Sequence, residues 1–71
     1  MMLDARGLSC PAPVLLVQKA VKKDAPKLLE VRVDDRCAVE NISRFAKNHG
    51  YSAESEDCGS GEFLITLRKM P

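Results

Sequence analysis

The sequence predicts a two-layer α/β (α+β) sandwich whose elements follow the order β-α-β-α-β-β. Two segments carry apolar residues at helical spacing, and the segments around them alternate between apolar and polar residues as half-buried strands do. This pattern is typical of a four-stranded mixed sheet with both helices on one face and water on the other. Right-handed crossovers make the first three strands parallel, and the fourth returns antiparallel between the second and third, in the order 1-2-4-3.

The composition of the chain excludes several classes of protein. Its 71 residues predict a single domain, residues 1–71, with a modest core. The net charge of +1 gives no general attraction to nucleic acid or to anionic membranes, and the longest apolar run, residues 14–17, is too short to cross a membrane. The three cysteines form neither a C-x-x-C pair nor a disulfide framework, so we expect no metal or cofactor, and a reducing cytoplasm as the location.

The chain opens with a short strand and a tight connection. Residues 2–5 place Leu3 and Ala5 on one face of that strand. Gly7 follows, and we expect it to let the backbone turn sharply. Residues 8–14 then contain a cysteine directly before two prolines, at the point where a helix should begin.

Cys10 is the expected N-cap of this first helix. Pro11 suits the first helical position, where a missing N–H costs nothing, and Pro13 still lies in the first turn, where proline is tolerated. The N–H groups of Cys10 and Ala12 then remain near the sulfur, at the positive end of the helix dipole. Such an environment, or a cation such as Arg6, lowers the pKa of a thiol from about 8.5 to roughly 3.5–7.5. The alternative is that Cys10 is a small buried hydrophobe.

The first helix is expected from Pro11 to about Lys23. Its apolar residues share one broad face, and its lysines lie on the other. Leu15 is the exception, because it falls on the polar face with Lys19 and Lys22. An exposed Leu15 is either incidental or an anchor for a partner protein.

The rest of the chain contains a strand, a helix and a hairpin. Residues 27–34 alternate as a half-buried strand, and Asp34 and Asp35 then precede the second helix, which we expect them to cap. That helix covers roughly residues 37–49 and ends at Gly50. The hairpin is predicted as a polar edge strand at 51–57, a connection at 58–61 and a last strand at 63–68.

This topology places the three cysteines at the same end of the molecule. Both helices begin where parallel strands end, so Cys10 and Cys37 are expected there, and Cys58 in the hairpin connection joins them. Neighbouring helix axes lie about 8–10 Å apart, whereas a disulfide needs Cα atoms within about 7 Å, so Cys10 and Cys37 are expected as neighbours without a bridge. His49 is expected at the opposite end, which argues against a zinc site of three cysteines and one histidine.

The stretch around Cys10 resembles a known family signature. Residues 3–14, Leu-Asp-Ala-Arg-Gly-Leu-Ser-Cys-Pro-Ala-Pro-Val, are similar to the N-terminal signature of the TusA/SirA-like sulfur carriers, a Cys-Pro-x-Pro motif after an Asp-x-Arg-Gly-Leu-type segment. Residues 35–46 resemble the second helix of the YedF-like subgroup, and the length and element order also match. The best-studied carriers that serve tRNA thiolation have an acidic residue between the prolines. This chain has Ala12 there, which leaves the pathway open.

The resemblance implies a sulfurtransferase-type persulfide carrier. Cys10 would accept sulfur from a cysteine desulfurase or a rhodanese-like donor and pass it to the thiol of an acceptor protein. Gly7 and Ala12 belong to the same motif, and Arg6 would stabilise the Cys10 anion. Cys37 and Cys58 are either incidental or second thiols that receive or resolve the persulfide. Pro11 and Pro13 would fix the helix opening. The expected docking surface for partner proteins consists of Leu15, Lys19 and Lys22.

Two other readings use the same residues differently. A non-catalytic module for RNA or protein would use Arg32 and Arg68 on the open sheet face, with more cations on the second helix. RNA platforms stack bases on exposed aromatic rings, however, and this chain has only one tyrosine and two phenylalanines, so direct nucleic-acid binding is not expected. A selenium-handling protein could use the same cysteine.

Overall fold

The computed structural model describes residues 1–9 and 11–70. Its elements are β1 (Met2–Asp4), α1 (Ala12–Asp24), β2 (Leu28–Val33), α2 (Arg36–Asn48), β3 (Tyr51–Gly59) and β4 (Glu62–Lys69). The sheet has the order β1-β2-β4-β3, with β1 parallel to β2 and β4 antiparallel to both of its neighbours. The predicted fold class, element order and sheet order are therefore confirmed.

The core lies between the sheet and the two helices. The alternation predicted for β2 is confirmed, because Leu29, Val31 and Val33 are all fully buried. Val17 of α1 and Ile42 of α2 are equally buried against them. The helices thus cover one face of the sheet, and the charged residues of β2 point to the other. Neither helix in the described part of the chain combines the length and apolar character that a bilayer crossing requires.

Helix α1 begins at Ala12, one residue later than the sequence predicts. Pro11, with φ of −99° and ψ of 16°, is the N-cap, so the expectation that Cys10 holds this position and Pro11 the first helical one is wrong. The Pro11 carbonyl accepts the first helical hydrogen bond, from the N–H of Leu15 at 3.2 Å. Pro13 is buried in the first turn, where a proline removes no helical hydrogen bond.

Helix α2 begins directly after its cap. The Asp35 side chain accepts a hydrogen bond from the N–H of Cys37 at 3.0 Å, which confirms Asp35 as a cap. Asp34 does not cap the helix, so that half of the prediction is wrong. At the other end His49 is the C-cap and Gly50 follows with φ of +78°, the left-handed conformation that glycine adopts most readily.

The β3–β4 hairpin turns later than predicted. Its two central residues are Ser60 and Gly61, with φ of 55° and 76°, and two positive values in a two-residue turn are typical of type I′. Cys58, predicted in the connection, instead lies inside β3 at a register shift between Asp57 and Gly59. This bulge adds one residue to β3 and moves the turn toward the end of the chain.

Candidate functional site

The loop between β1 and α1 is held by a turn and by the side chain of Asp34, the residue that follows β2. Gly7 has φ of +80°, so its predicted role in the turn is confirmed. In this conformation its N–H donates to Oδ2 of Asp34 at 2.8 Å. The N–H of Leu8 also points back to the carbonyl of Ala5, at 3.4 Å. Asp34 therefore ties the loop to the end of β2.

An ion pair shapes the start of the same loop. Arg6 donates to both carboxylate oxygens of Asp4, from Nε and Nη2, each at 2.9 Å, and its backbone N–H donates to Oδ1 at 3.1 Å. Nη1 of Arg6 lies 3.6 Å from Oε1 of Glu62 on β4. The hydrogen bonds from Arg6 lower the pKa of Asp4 to about 2, and the bond to Asp4 raises the pKa of Arg6. The Arg6 guanidinium is therefore paired with the carboxylates of Asp4 and Glu62, whereas the sequence analysis expects it to stabilise the Cys10 thiolate.

Cys10 itself lies outside the described residues, but the residues beside it are bonded to each other. The N–H of Ala12 donates to the carbonyl of Ser9 at 2.9 Å. The expectation that this N–H remains available to the sulfur is therefore wrong. The bond links the end of the loop to the first residue of α1, so the chain is fixed on both sides of Cys10.

Cys37 is exposed in the first turn of α2. Its sulfur accepts a hydrogen bond from Nδ2 of Asn41, at 3.6 Å and one helical turn away. The i, i+4 spacing of these two residues was the sequence signal for this contact, which the sequence analysis did not use. A thiolate at Cys37 would gain from the helix N-terminus and from the Asn41 donor.

Cys58 is also exposed, and its thiol lies 3.7 Å from the carbonyl of Glu56. Val33, the last residue of β2, pairs with Phe63, which in turn pairs with Asp57. The ends of β2 and β3 therefore meet at one edge of the sheet, as predicted for Cys37 and Cys58. The predicted position of Cys10 beside them falls outside the described residues.

An open groove of about 320 Å³ lies between α2 and the β3–β4 hairpin. The guanidinium of Arg36 lies over the ring of Phe63, 5.7 Å from its centre. The remaining lining residues are Val39, Glu40, Ser55 and Asp57. Among residues 1–9 and 11–70, no three His, Cys, Asp or Glu side chains come close enough to hold a metal ion.

The side chains predicted as a docking surface are exposed on α1. Leu15 is 49% exposed, and Lys19 and Lys22 are exposed as well. Leu8, in the loop before the motif, is a further exposed apolar residue that the sequence analysis missed. Its neighbours give no periodic pattern from which its exposure could be read.

The open face of the sheet carries no aromatic ring. Tyr51 is buried, and Phe45 and Phe63 pack against the core from the helix side. These are all the aromatic residues of the chain. The stacking platform that an RNA-binding sheet needs is therefore missing from this face, and the structure does not favour the RNA-binding reading.

Comparison with known proteins identifies the family. The family model described as "Sulfurtransferase TusA" matches residues 1–69. A Methanocaldococcus jannaschii protein named "Putative sulfur carrier protein MJ0990" is 40% identical over 68 residues, covering 94% of this chain and 91% of that protein. "Sulfur carrier protein TusA" of Pseudomonas savastanoi pv. phaseolicola is 35% identical over 71 residues, covering 97% of this chain and 83% of that protein.

A solved structure gives the same result. The crystal structure of a SirA-like protein from Desulfitobacterium hafniense aligns with a TM-score of 0.87 and 27% identity, and the alignment covers 100% of both chains. Carriers of the TusA type work with proteins that donate and accept sulfur. The fold, the sequence relatives and the family model agree, and the chain belongs to the TusA/SirA-like family of sulfur carriers.

Proposed function

We propose that this chain relays sulfur as a persulfide on Cys10. The observation that carries the proposal is the Cys-Pro-x-Pro sequence at residues 10–13, inside a chain whose residues 1–69 match the family model. The described flanks support it, because the loop before Cys10 and the helix after it are both fixed by hydrogen bonds. A carrier needs a thiol held in a defined place at the surface, and this scaffold supplies fixed flanks for one.

The proposed loading step moves one sulfur atom from a donor persulfide to the Cys10 thiolate and involves no net oxidation. The Cys10 thiolate attacks the terminal sulfur of a persulfide on the donor protein. A new S–S bond forms at Cys10, the donor's S–S bond breaks, and the donor cysteine leaves as a thiolate. The proton on the terminal sulfur travels with it or is lost to water. Discharge repeats the step with the acceptor's thiolate as nucleophile.

Partner proteins would complete the site. A donor of the cysteine desulfurase or rhodanese type and a thiol-bearing acceptor would dock beside α1, with the exposed Leu15 as an apolar contact and with Lys19 and Lys22 around it. Free thiols stay reduced in the cytoplasm, whereas an oxidising compartment would convert them to disulfides, so we propose the cytoplasm as the location. The single domain of residues 1–71 would act as a mobile carrier between the two proteins.

Cys37 is the proposed second thiol. Its exposure and its Asn41 donor favour a thiolate that could attack the terminal sulfur of the Cys10 persulfide, releasing the Cys10 thiolate. The sulfur would then sit on α2. Cys58 has the carbonyl of Glu56 as its described contact, which does not stabilise an anion, so we assign it no part in the relay.

A transfer assay with three variants tests these assignments. Each of Cys10→Ser, Cys37→Ser and Cys58→Ser is incubated with a cysteine desulfurase and cysteine, separated from the donor, and mixed with a small protein thiol as acceptor. We expect Cys10→Ser to lose transfer, Cys37→Ser to slow discharge and Cys58→Ser to match the wild-type protein. Transfer by Cys10→Ser at the wild-type rate contradicts the function, and an unchanged Cys37→Ser contradicts the second thiol alone.

A further inference from the structure

We infer that Asp34 is a positioning residue for Cys10, acting through the backbone of the loop that precedes it. This inference rests on the proposed function of Cys10. Asp34 stands directly after Val33, the last residue of β2. Val33 is fully buried and is paired with Phe63 of β4, so Asp34 projects from a fixed part of the sheet.

The hydrogen bond from Asp34 ends on the loop three residues before Cys10. Its Oδ2 accepts the N–H of Gly7 at 2.8 Å. Gly7 reaches this geometry with φ of +80°, which a residue with a Cβ adopts at a cost. The carboxylate of Asp34 therefore bonds to the one described residue of the loop at which the backbone turns with a positive φ.

The other contacts of the loop do less to fix its place. Asp4 and Arg6 bond to each other within the same stretch of chain, so they shape the start of the loop rather than anchor it. The contact of Arg6 with Glu62 of β4 is longer, at 3.6 Å. Both of these side chains are more than one third exposed, at 39% and 35%. Among the described residues, Asp34 makes the shortest side-chain hydrogen bond between this loop and a distant part of the chain.

Position and charge have opposite effects on the thiol, which makes the inference testable. A carboxylate near a thiol favours its neutral form, so a role through charge alone means that removing Asp34 lowers the pKa of Cys10. A role through position has the opposite effect. The proposed carrier needs a Cys10 thiol with a lowered pKa, and a loop that no longer holds this thiol in its proposed environment returns its pKa toward the ordinary value of about 8.5.

The experiment measures alkylation of Cys10 against pH in three Asp34 variants. Trypsin places each cysteine in its own peptide, residues 7–19, 37–44 and 48–68, so Cys10 is followed by mass spectrometry with the other two as internal references. Asp34→Ala removes the acceptor, Asp34→Glu keeps the charge but moves it, and Asp34→Asn keeps an acceptor oxygen without the charge. Asp35→Ala is the matched control, because it removes the adjacent carboxylate, whose bond goes to α2.

We expect Asp34→Ala and Asp34→Glu to raise the apparent pKa of Cys10 by about half a unit or more, which lowers its alkylation rate about threefold at pH values below the wild-type pKa. Asp34→Asn should keep the wild-type profile or titrate slightly lower, and Asp35→Ala should keep the wild-type profile. Circular dichroism shows which variants are folded. If Asp34→Ala is unfolded, the test is the comparison of the Cys10 alkylation profiles of Asp34→Glu and Asp34→Asn.

Two results overturn the inference. One is a lower pKa in both Asp34→Ala and Asp34→Asn, which assigns Asp34 a role through charge. The other is an activated wild-type Cys10 whose profile no Asp34 variant changes. A wild-type Cys10 that titrates as an ordinary thiol and takes up no sulfur contradicts the proposed function instead, so the two failures are distinguishable.

Discussion

At the scale of single residues, carboxylates hold the loop before Cys10 and the start of α2, and the sequence pattern alone does not show which groups they bond to. Asp4 belongs to the family-like segment, yet only the structure shows that it takes the charge of Arg6. In the sequence, Asp34 and Asp35 are equally good candidates for the cap of α2. The backbone separates them, because Asp35 has the extended φ of −136° and ψ of 124° of an N-cap, whereas Asp34 bonds to Gly7.

The Asp4–Arg6 pair predicts an unusually acidic carboxyl group. The pKa of Asp4 falls from its ordinary 3.8 to about 2 because Arg6 donates three hydrogen bonds to it. Since the folded pKa lies below the unfolded one, the pair stabilises the fold above about pH 3.8, and this contribution is lost as the pH falls toward about 2. An NMR titration of the Asp4 carboxyl should show the midpoint near 2.

Two arginine variants give the control for this titration. Arg6→Gln removes the cation and its two side-chain hydrogen bonds but keeps the backbone N–H donor, so it should move the Asp4 midpoint part of the way back to 3.8. Arg32→Gln removes the cation on the paired residue of β2, which lowers the Asp4 pKa through charge alone, and should move the midpoint less. Equal shifts in the two variants would show that the hydrogen bonds are not the cause.

At the scale of the elements, the sequence predicts each helix and strand. It does not fix the first residue of α1 or the position of the β3–β4 turn. Two prolines in the first turn are compatible with a helix whose cap is Cys10, as predicted, and also with a helix that begins one residue later. The carbonyl of Pro11 decides, because it accepts the bond from Leu15 and becomes the cap. In the hairpin, the sequence has a glycine at both 59 and 61, and either suits a turn. Both adopt a positive φ in the structure, so glycine alone does not locate the turn.

The cap of α2 gives the prediction for this scale. Asp35→Ala removes the acceptor for the Cys37 N–H and should lower the free energy of unfolding by about 1 kcal/mol. Asp35→Asn keeps an acceptor oxygen and should lose only a small part of this. Urea denaturation followed by circular dichroism measures both. If the alanine and asparagine variants are equally stable, the side chain is not capping the helix.

At the scale of the whole molecule, the order of elements predicted the topology because few arrangements satisfy right-handed crossovers and a one-sided helix layer. The sheet order and the parallel pair β1–β2 follow from those rules. The side-chain bonds between distant parts of the chain do not follow from them. The bond from Asp34 to Gly7 joins residues 27 positions apart, and no local pattern encodes such a pairing.

The small core predicts a sharp contrast between two apolar residues. Ile42→Ala, at a fully buried site, should lower the free energy of unfolding by about 2–5 kcal/mol, which is much of the total for a domain of this size. Leu15→Ala, at a site 49% exposed on α1, should change it by at most about 0.5 kcal/mol. Thermal and urea unfolding measure both. A comparable loss in Leu15→Ala would mean that Leu15 belongs to the core and is not available to a partner.

The central claim is that sulfur is carried on Cys10, and the most direct test is to see which thiol takes it. The wild-type chain is exposed to less than one equivalent of a persulfide donor, all sulfur groups are then blocked by alkylation, and the protein is digested with trypsin. The account predicts that the peptide of residues 7–19 gains the mass of one sulfur atom before the peptides of residues 37–44 and 48–68 do. Sulfur that arrives first on residues 37–44 or 48–68, or equally on all three peptides, would contradict it.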